Sequence, residues 1–322
     1  MSNVVLVTGA AGFVGSHLLR SLTNDGSAAA VVAWRRPSHG RAAPVPARLP
    51  DDTPDVRWQD VDLIDADTVA ASIRATRPTS IYHCAGVASV HASWNQTLAT
   101  LEGNVQGTDN LLRAVAAAEI PSRVLVPGSA LVYRPSDQAI RENDPLGPVS
   151  PYGLSKLAQE MLVQRYAEDG VAVLLTRSFT HLGPGQASAY AASSFAQQIA
   201  QIEDGQISPV IKVGALDARR DLTDVRDTVR AYMSLMERGT PGRLYNVCSG
   251  QSHRIGDVLD GLISLATVSV NVDIDASRLR PSDNPLLLGD PARLTREIGW
   301  APHIPLPQTL KDLLDHWRSA IR

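Results

Sequence analysis

The chain has 322 residues, of which 44% are hydrophobic and 20% charged, and its formal net charge is −3 at pH 7. This is ordinary globular usage, and no stretch has the apolar length that a bilayer span needs. The charge balance argues against a nucleic-acid footprint, and the two widely separated cysteines, Cys84 and Cys248, argue against a disulfide or a cysteine metal site.

Val4–Val7 is the first apolar run, and no basic region precedes it. It reads as a strand and not a signal peptide, so a cytoplasmic location is expected. The strand enters Thr8-Gly9-Ala10-Ala11-Gly12-Phe13-Val14-Gly15, and a helix with Leu18, Leu19 and Leu22 inward follows. Gly9 permits a tight turn, Gly12 lets the backbone approach a pyrophosphate, and Gly15 lets the helix pack closely on the sheet. A glycine pattern alone is a weak signal, but directly after the first strand it marks a dinucleotide site that includes Phe13 and Val14.

The second strand, Ala29–Trp34, runs into Arg35-Arg36, where an NAD site would place an acidic residue on the ribose hydroxyls. A guanidinium pairs instead with a 2′-phosphate, so NADP(H) is the expected cofactor and NAD(H) the alternative. Pro37 to Pro54 contains five prolines and reads as a surface loop. Asp62-Leu63 follows a third strand, where it could meet the adenine edge, and Ala85 closes the apolar run Ile81–Ala85 as a further cofactor contact.

Runs at Ser80–Cys84, Arg123–Val126 and Val171–Thr176 alternate with helical stretches, the pattern of a parallel sheet flanked by helices. Two helices, from about Asn104 to Ala118 and from Pro151 to Asp169, carry broad apolar faces, the second with Leu154, Leu157, Ala158, Met161, Leu162 and Tyr166. On that second helix Tyr152 and Lys156 stand four residues apart on one face. A nearby cation lowers a phenol pKa, which suits Tyr152 to proton transfer, while Lys156 can hold the nicotinamide ribose. The spacing is common by itself. Its place after a glycine-rich site and a strand ending in Gly128-Ser129 gives it chemical meaning.

Beyond Thr176 the alternation weakens, leaving Val210–Val213, a helix at Val225–Glu237 and a final helix at Leu306–Ala320. The expected fold class is α/β: a Rossmann-type doubly wound parallel sheet over 1–176 with parts of about 215–245, and a smaller substrate-binding domain over the rest of 177–322. Among the histidines, His17 and His83 read as packing residues, and His91, His253 and His303 lack metal-ligand spacing, so no metal is assigned.

These residues resemble the extended short-chain dehydrogenase/reductases that act on nucleotide-activated sugars. The glycine pattern, Asn104-Val105-Gln106-Gly107-Thr108, Gly128 to Tyr133 and Ser150-Pro151-Tyr152 fall where that family has its cofactor loop, active-site helix, serine strand and tyrosine. The resemblance implies a catalytic triad of Ser129, Tyr152 and Lys156, with Asn104 linking Lys156 to solvent through water or backbone. The C-terminal half most resembles GDP-4-keto-6-deoxy-D-mannose reductases and GDP-mannose 4,6-dehydratases, through His181 to Gln186, Pro209 to Gly214, Arg220 to Asp227, Tyr245 to Gly250 and Leu279 to Ser282. It implies that Arg220 and Arg280 clamp a nucleotide diphosphate, that Lys212 lies near the nucleotide and that Ser129 and Thr180 meet the sugar.

Two departures qualify this. Leu131 stands where the dehydratases carry a glutamate, and Thr180 where many relatives carry asparagine. Leucine transfers no proton, so the expected activity is NADP(H)-dependent reduction of the C4 ketone of a GDP-linked 4-keto-6-deoxy sugar. A nucleotide-sugar 4-epimerase is the runner-up, a GDP-mannose 4,6-dehydratase comes next, and a cofactor-sensing scaffold is the non-enzyme alternative. The family's habit of pairing helices across a two-fold axis implies a homodimer.

Overall fold

The structure, a computed structural model, describes residues 3–26, 28, 30–37, 56–278 and 284–322. The first half runs β1 (Val4–Thr8), α1 (Phe13–Asp25), β2 (Ala30–Arg35), β3 (Val56–Asp60), α2 (Ala66–Thr76), β4 (Ser80–His83), α3 (Val90–Asn95), α4 (Thr97–Leu101), a π-helical turn (Glu102–Gln106), α5 (Gly107–Ala117), β5 (Arg123–Ser129), α6 (Pro151–Glu168) and β6 (Ala172–Ser178). The second half continues through β7 (Thr180–Leu182), α7 (Ala191–Glu203), β8 (Val210–Val213), β9 (Arg219–Asp224), α8 (Val225–Arg238), β10 (Leu244–Val247), β11 (Ser252–Arg254), α9 (Ile255–Ile263), β12 (Asn271–Ile274), β13 (Leu286–Leu287), α10 (Ala292–Ile298) and α11 (Leu306–Ile321). Beyond Pro37, the proline-rich stretch read as a loop lies outside the described residues.

The valine-rich runs form one sheet of seven strands in the order β10-β6-β5-β4-β1-β2-β3, with every neighbouring pair parallel. Four of the five β1 residues are buried, as a strand must be when helices cover both faces of its sheet. Leu18, Leu19, Val229 and Leu235 fill one face, and Ile73, Leu111, Leu112 and Val163 fill the other. The last strand, β10, arrives from the C-terminal half, so the chain returns to the first sheet after leaving it.

Short strands β11, β9 and β13 form a second sheet to which β7 adds, and β8 pairs with β12 in a third. Phe195, Ile199, Leu259 and Leu313 pack beneath them from α7, α9 and α11.

Helix α6 departs from the expected apolar inward face. Its buried residues are Gly153, Ser155, Lys156, Gln159, Glu160 and Val163, whereas Leu154 and Met161 are exposed. Side chains that hydrogen-bond to one another can be buried at little cost, so periodicity of apolar residues misassigns the face. The helix near Asn104 differs too. Leu111, Leu112 and Val115 of α5 are buried in the chain's own core, and the exposed apolar residues beside α6 are Trp94 and Leu98, from α3 and α4.

Candidate active site

Strand order reverses between β1 and β4, and in an open parallel sheet this reversal leaves a crevice at the carboxyl ends of the strands. Gly9 leaves β1 with φ +63°, and a Cβ there would lie 2.6 Å from the Ala85 backbone, which follows β4. Only glycine tolerates both the turn and that approach. At Gly12 a Cβ would meet nothing nearer than the Gly9 carbonyl oxygen, at 3.1 Å, so this position keeps an open path to the start of α1. No side chain caps α1, and its first turn, Phe13, Val14 and Gly15, carries no acidic residue. Free N–H groups at the positive end of a helix dipole fit the pyrophosphate of a dinucleotide.

Arg35 ends β2, as expected, but it is not a free cation. Its Nε donates to Asp60 Oδ1 at 2.7 Å across the β2–β3 pairing, and the guanidinium lies 5.7 Å from the Trp58 ring centre. Asp62 follows β3 and accepts the Ile64 N–H at 3.1 Å, and the Leu63 carbonyl accepts from Asn110 at 2.8 Å.

On the other side of the crevice β5 delivers Ser129 and α6 delivers Tyr152 and Lys156. Ser150 caps α6 through the Gly153 N–H at 3.1 Å, and Ser93 accepts the Tyr152 N–H at 3.1 Å, which fixes the first turn of the helix. Ser129 lies close enough to Tyr152 for its hydroxyl to act on the phenol. Burial pushes the Tyr152 phenol up to about 12, and the nearby Ser129 hydroxyl only partly opposes it. The phenol is therefore raised and not lowered as expected: Lys156 is not among the groups that act on it, burial dominates, and the phenol holds its proton at neutral pH.

Lys156 is buried and donates to the Pro127 carbonyl at 3.0 Å and to Gln159 Oε1 at 2.8 Å. Burial pushes its ammonium down to about 8. Asn104 makes no direct hydrogen bond to Lys156 among the described residues. The Asn104 carboxamide accepts the Val87 N–H at 2.8 Å and donates to Ser155 Oγ at 2.9 Å, so it ties the loop after β4 to α6. Leu131 lies in the turn after Ser129, half-buried, with its N–H donating to Ser129 Oγ at 3.2 Å.

A family model described as GDP-mannose 4,6 dehydratase matches residues 6–313. The chain belongs to that family, the NAD(P)-dependent extended short-chain dehydrogenase/reductases. It is 34% identical to GDP-6-deoxy-D-mannose reductase of Pseudomonas aeruginosa over 100% of this chain and 99% of the relative. The structure of RMD from Pseudomonas aeruginosa complexed with NADPH superimposes with a TM-score of 0.83 at 30% identity, covering 99% of this chain and 100% of the other. A Thermus thermophilus UDP-glucose 4-epimerase in complex with NAD gives 0.84 at 26% identity, covering 98% and 99%.

In this dehydrogenase/reductase the expected substrate residues occupy the C-terminal sheets. Thr180 starts β7, exposed Lys212 lies on β8 and half-buried Arg220 on β9, whereas Arg280 falls outside the described residues. His181, the residue after Thr180, stacks on Phe13 of the glycine loop with centroids 6.0 Å apart, and His17 of α1 bonds the Pro184 carbonyl at 2.8 Å. These contacts join the second sheet to the cofactor loop. Both imidazoles are held below their ordinary range by burial.

Sequence reasoning missed Asp60, Ser93 and Gln159, which meet Arg35, Tyr152 and Lys156 respectively. Gln159 alone had a readable signal. It lies three residues after Lys156, within reach on one helix face, but an apolar stripe had already been assigned there.

Proposed function

We propose that the protein reduces the C4 ketone of a GDP-linked 4-keto-6-deoxy sugar, converting GDP-4-keto-6-deoxy-D-mannose to GDP-D-rhamnose with NADPH. The observation that carries this is Leu131, an aliphatic side chain adjoining the Ser129–Tyr152 pair. The likeness to GDP-6-deoxy-D-mannose reductase supports it. Gly9, Gly12, Phe13, Val14, Gly15, Arg35, Asp62, Leu63, Ala85, Tyr152 and Lys156 would hold the cofactor, which supplies hydride when bound. Ser129 and Tyr152 hold the ketone oxygen by hydrogen bonds, and Tyr152 gives that oxygen its phenolic proton as the C4 hydroxyl forms. Lys156 stabilises the phenolate left behind and orients the ribose. Thr180, Lys212, Arg220 and Arg280 bind the sugar nucleotide, the arginines through the diphosphate. The smaller C-terminal sheets make up the substrate domain.

Dehydration would need a group to take the C5 proton and another to help the C6 hydroxyl leave. Leucine does neither, and an apolar neighbour helps to exclude water from the carbonyl. Supplied with GDP-mannose and NADP⁺, the protein is expected to form no 4-keto-6-deoxy sugar; its formation at a useful rate would overturn the reading.

The cofactor preference is NADPH over NADH. An exposed pair such as Arg35–Asp60 contributes about 0–1 kcal/mol, less than the roughly 1.5–3 kcal/mol of a hydrogen bond to a charged phosphate, so Asp60 does not keep Arg35 from a 2′-phosphate. Arg35→Asp is expected to narrow or reverse the ratio of dissociation constants in fluorescence titrations. Equal affinities in the unmodified protein would contradict this.

The molecule assembles as a homodimer through the face that carries Trp94, Leu98, Leu154 and Met161. These four are 56%, 77%, 50% and 63% exposed, and α3 and α4 both pack on α6, so the residues crowd one side of the protein. Large apolar side chains grouped in this way mark an association surface. Light scattering at micromolar concentration is expected to give twice the chain mass, and the chain mass for Leu98→Asp/Met161→Asp. A monomer in the unmodified protein rejects the proposal.

A further inference from the structure

The polar face of α6 feeds a buried hydrogen-bond chain whose direction can be worked out proton by proton. Gln159 is 1% exposed; its Oε1 accepts from Lys156 Nζ at 2.8 Å and its Nε2 donates to Thr108 Oγ1 at 2.7 Å. The Thr108 hydroxyl has one proton and donates it to the Asn104 carbonyl at 2.7 Å. Thr108 must then accept from His83 Nε2, 3.0 Å away, which leaves His83 Nδ1 to accept from the Thr8 hydroxyl at 2.8 Å. Thr8 in turn accepts the Ala85 N–H at 3.2 Å. Every member is satisfied in this one arrangement. Turning the Gln159 amide would set its NH₂ against the ammonium, so the amide is locked.

We propose that Gln159 is the positioning residue of the Tyr152–Lys156 pair. It fixes where the Lys156 ammonium sits and how tightly that ammonium holds its proton, and through Thr108, His83 and Thr8 it couples Lys156 to the Ala85 backbone in the crevice. The inference deepens the reading of Lys156 given above and rests on it for its bearing on catalysis. Pro127 and Gln159 take two of the ammonium's three N–H groups, so the direction of the third is fixed. Gln159 also supplies the only side-chain acceptor that Lys156 shows among the described residues, and that acceptor is neutral.

Among the described residues no charge facing Lys156 competes for the effect. Cys84 and His83, at the end of β4, are kept neutral by burial, the thiol pushed up to about 12 and the imidazole down to about 3. Tyr152, one turn back on α6, holds its proton. Arg177 of β6 is closed on Glu160, Glu102 of the π-helical turn is exposed, and Asp109 of α5 bonds Tyr166.

The chain has only three lysines, and the other two, Lys212 and Lys311, are exposed. Isotope-labelled lysine therefore gives an NMR titration in which Lys156 stands apart, and it needs neither cofactor nor substrate. In the full-length protein Lys156 is expected to lose its proton near pH 8. Gln159→Glu, close to the same shape, should tighten the hold of Lys156 on its proton about tenfold or more, by placing a carboxylate against it. Gln159→Leu should loosen it, and Thr108→Val, which frees the amide from its far side, should loosen it less. An unchanged Lys156 midpoint in the glutamate variant overturns the proposal, as does an unchanged midpoint in the threonine variant should the glutamate variant not fold. Loss of the expected reductase activity in the unmodified protein, with the lysine shifts intact, would instead count against the functional reading alone.

Discussion

Replacing Tyr152 by phenylalanine is expected to lower kcat by about 10²–10⁴-fold, the usual worth of a positioned proton donor, while leaving the thermal midpoint close to unchanged. The change removes one oxygen and leaves the ring in place. The first turn of α6 keeps its cap at Ser150 and its tie to Ser93, because both bonds run to backbone N–H groups. Burial holds the phenol near 12, so at neutral pH Tyr152 carries the proton that the proposed reduction would draw on. Stopped-flow oxidation of NADPH separates the chemical step from cofactor binding. A variant that kept full kcat would remove Tyr152 from the reaction.

Arg177→Met is expected to destabilise the fold by about 3–5 kcal/mol, a large share of the roughly 5–15 kcal/mol that holds a typical protein together. Arg177 is 4% exposed and Glu160 3%. The guanidinium meets both Glu160 oxygens, at 2.8 and 2.6 Å, donates to the Glu142 carbonyl at 2.9 Å and lies 4.5 Å from the Tyr133 ring centre. Glu142 in turn accepts the Asn246 N–H at 3.0 Å, and Tyr133 donates to Asn246 Oδ1 at 2.7 Å. Methionine fills much of the volume but strands the Glu160 carboxylate without its cation. The double variant Arg177→Met/Glu160→Leu, which removes both charges, is expected to recover much of the loss. Urea unfolding measures both, and a single-variant loss under about 1 kcal/mol would show that the pair carries little.

The parts of this molecule that were legible in the sequence are those governed by local chemistry. Val4–Val7 running into the glycine turn can be read because strand, turn and helix follow within a dozen or so residues, each with its own signature. The helix that carries Tyr152 and Lys156 is legible for a similar reason, with these two residues one turn apart on a stretch that begins at Pro151. Its orientation was not legible. Leu154 and Met161 look like core and are exposed, while Lys156, Gln159 and Glu160 look like surface and are buried, because their partners come from β5, α5 and β6. A residue's neighbours across the fold decide such cases, and no period in the sequence encodes them. Arg35 illustrates the same limit, since its ion pair with Asp60 depends on the register of β2 against β3. The strands from β7 onward, most of them two to four residues long, fall below the length at which alternation is recognisable.

The proposed reduction is tested most directly by mixing the protein with GDP-4-keto-6-deoxy-D-mannose and NADPH, following cofactor absorbance in time and identifying the sugar product. One NADPH is expected to be oxidised for each ketone consumed, with GDP-D-rhamnose as the product. Interconversion of the sugar without net oxidation of NADPH, as a 4-epimerase would give, or no reaction at all, would contradict it.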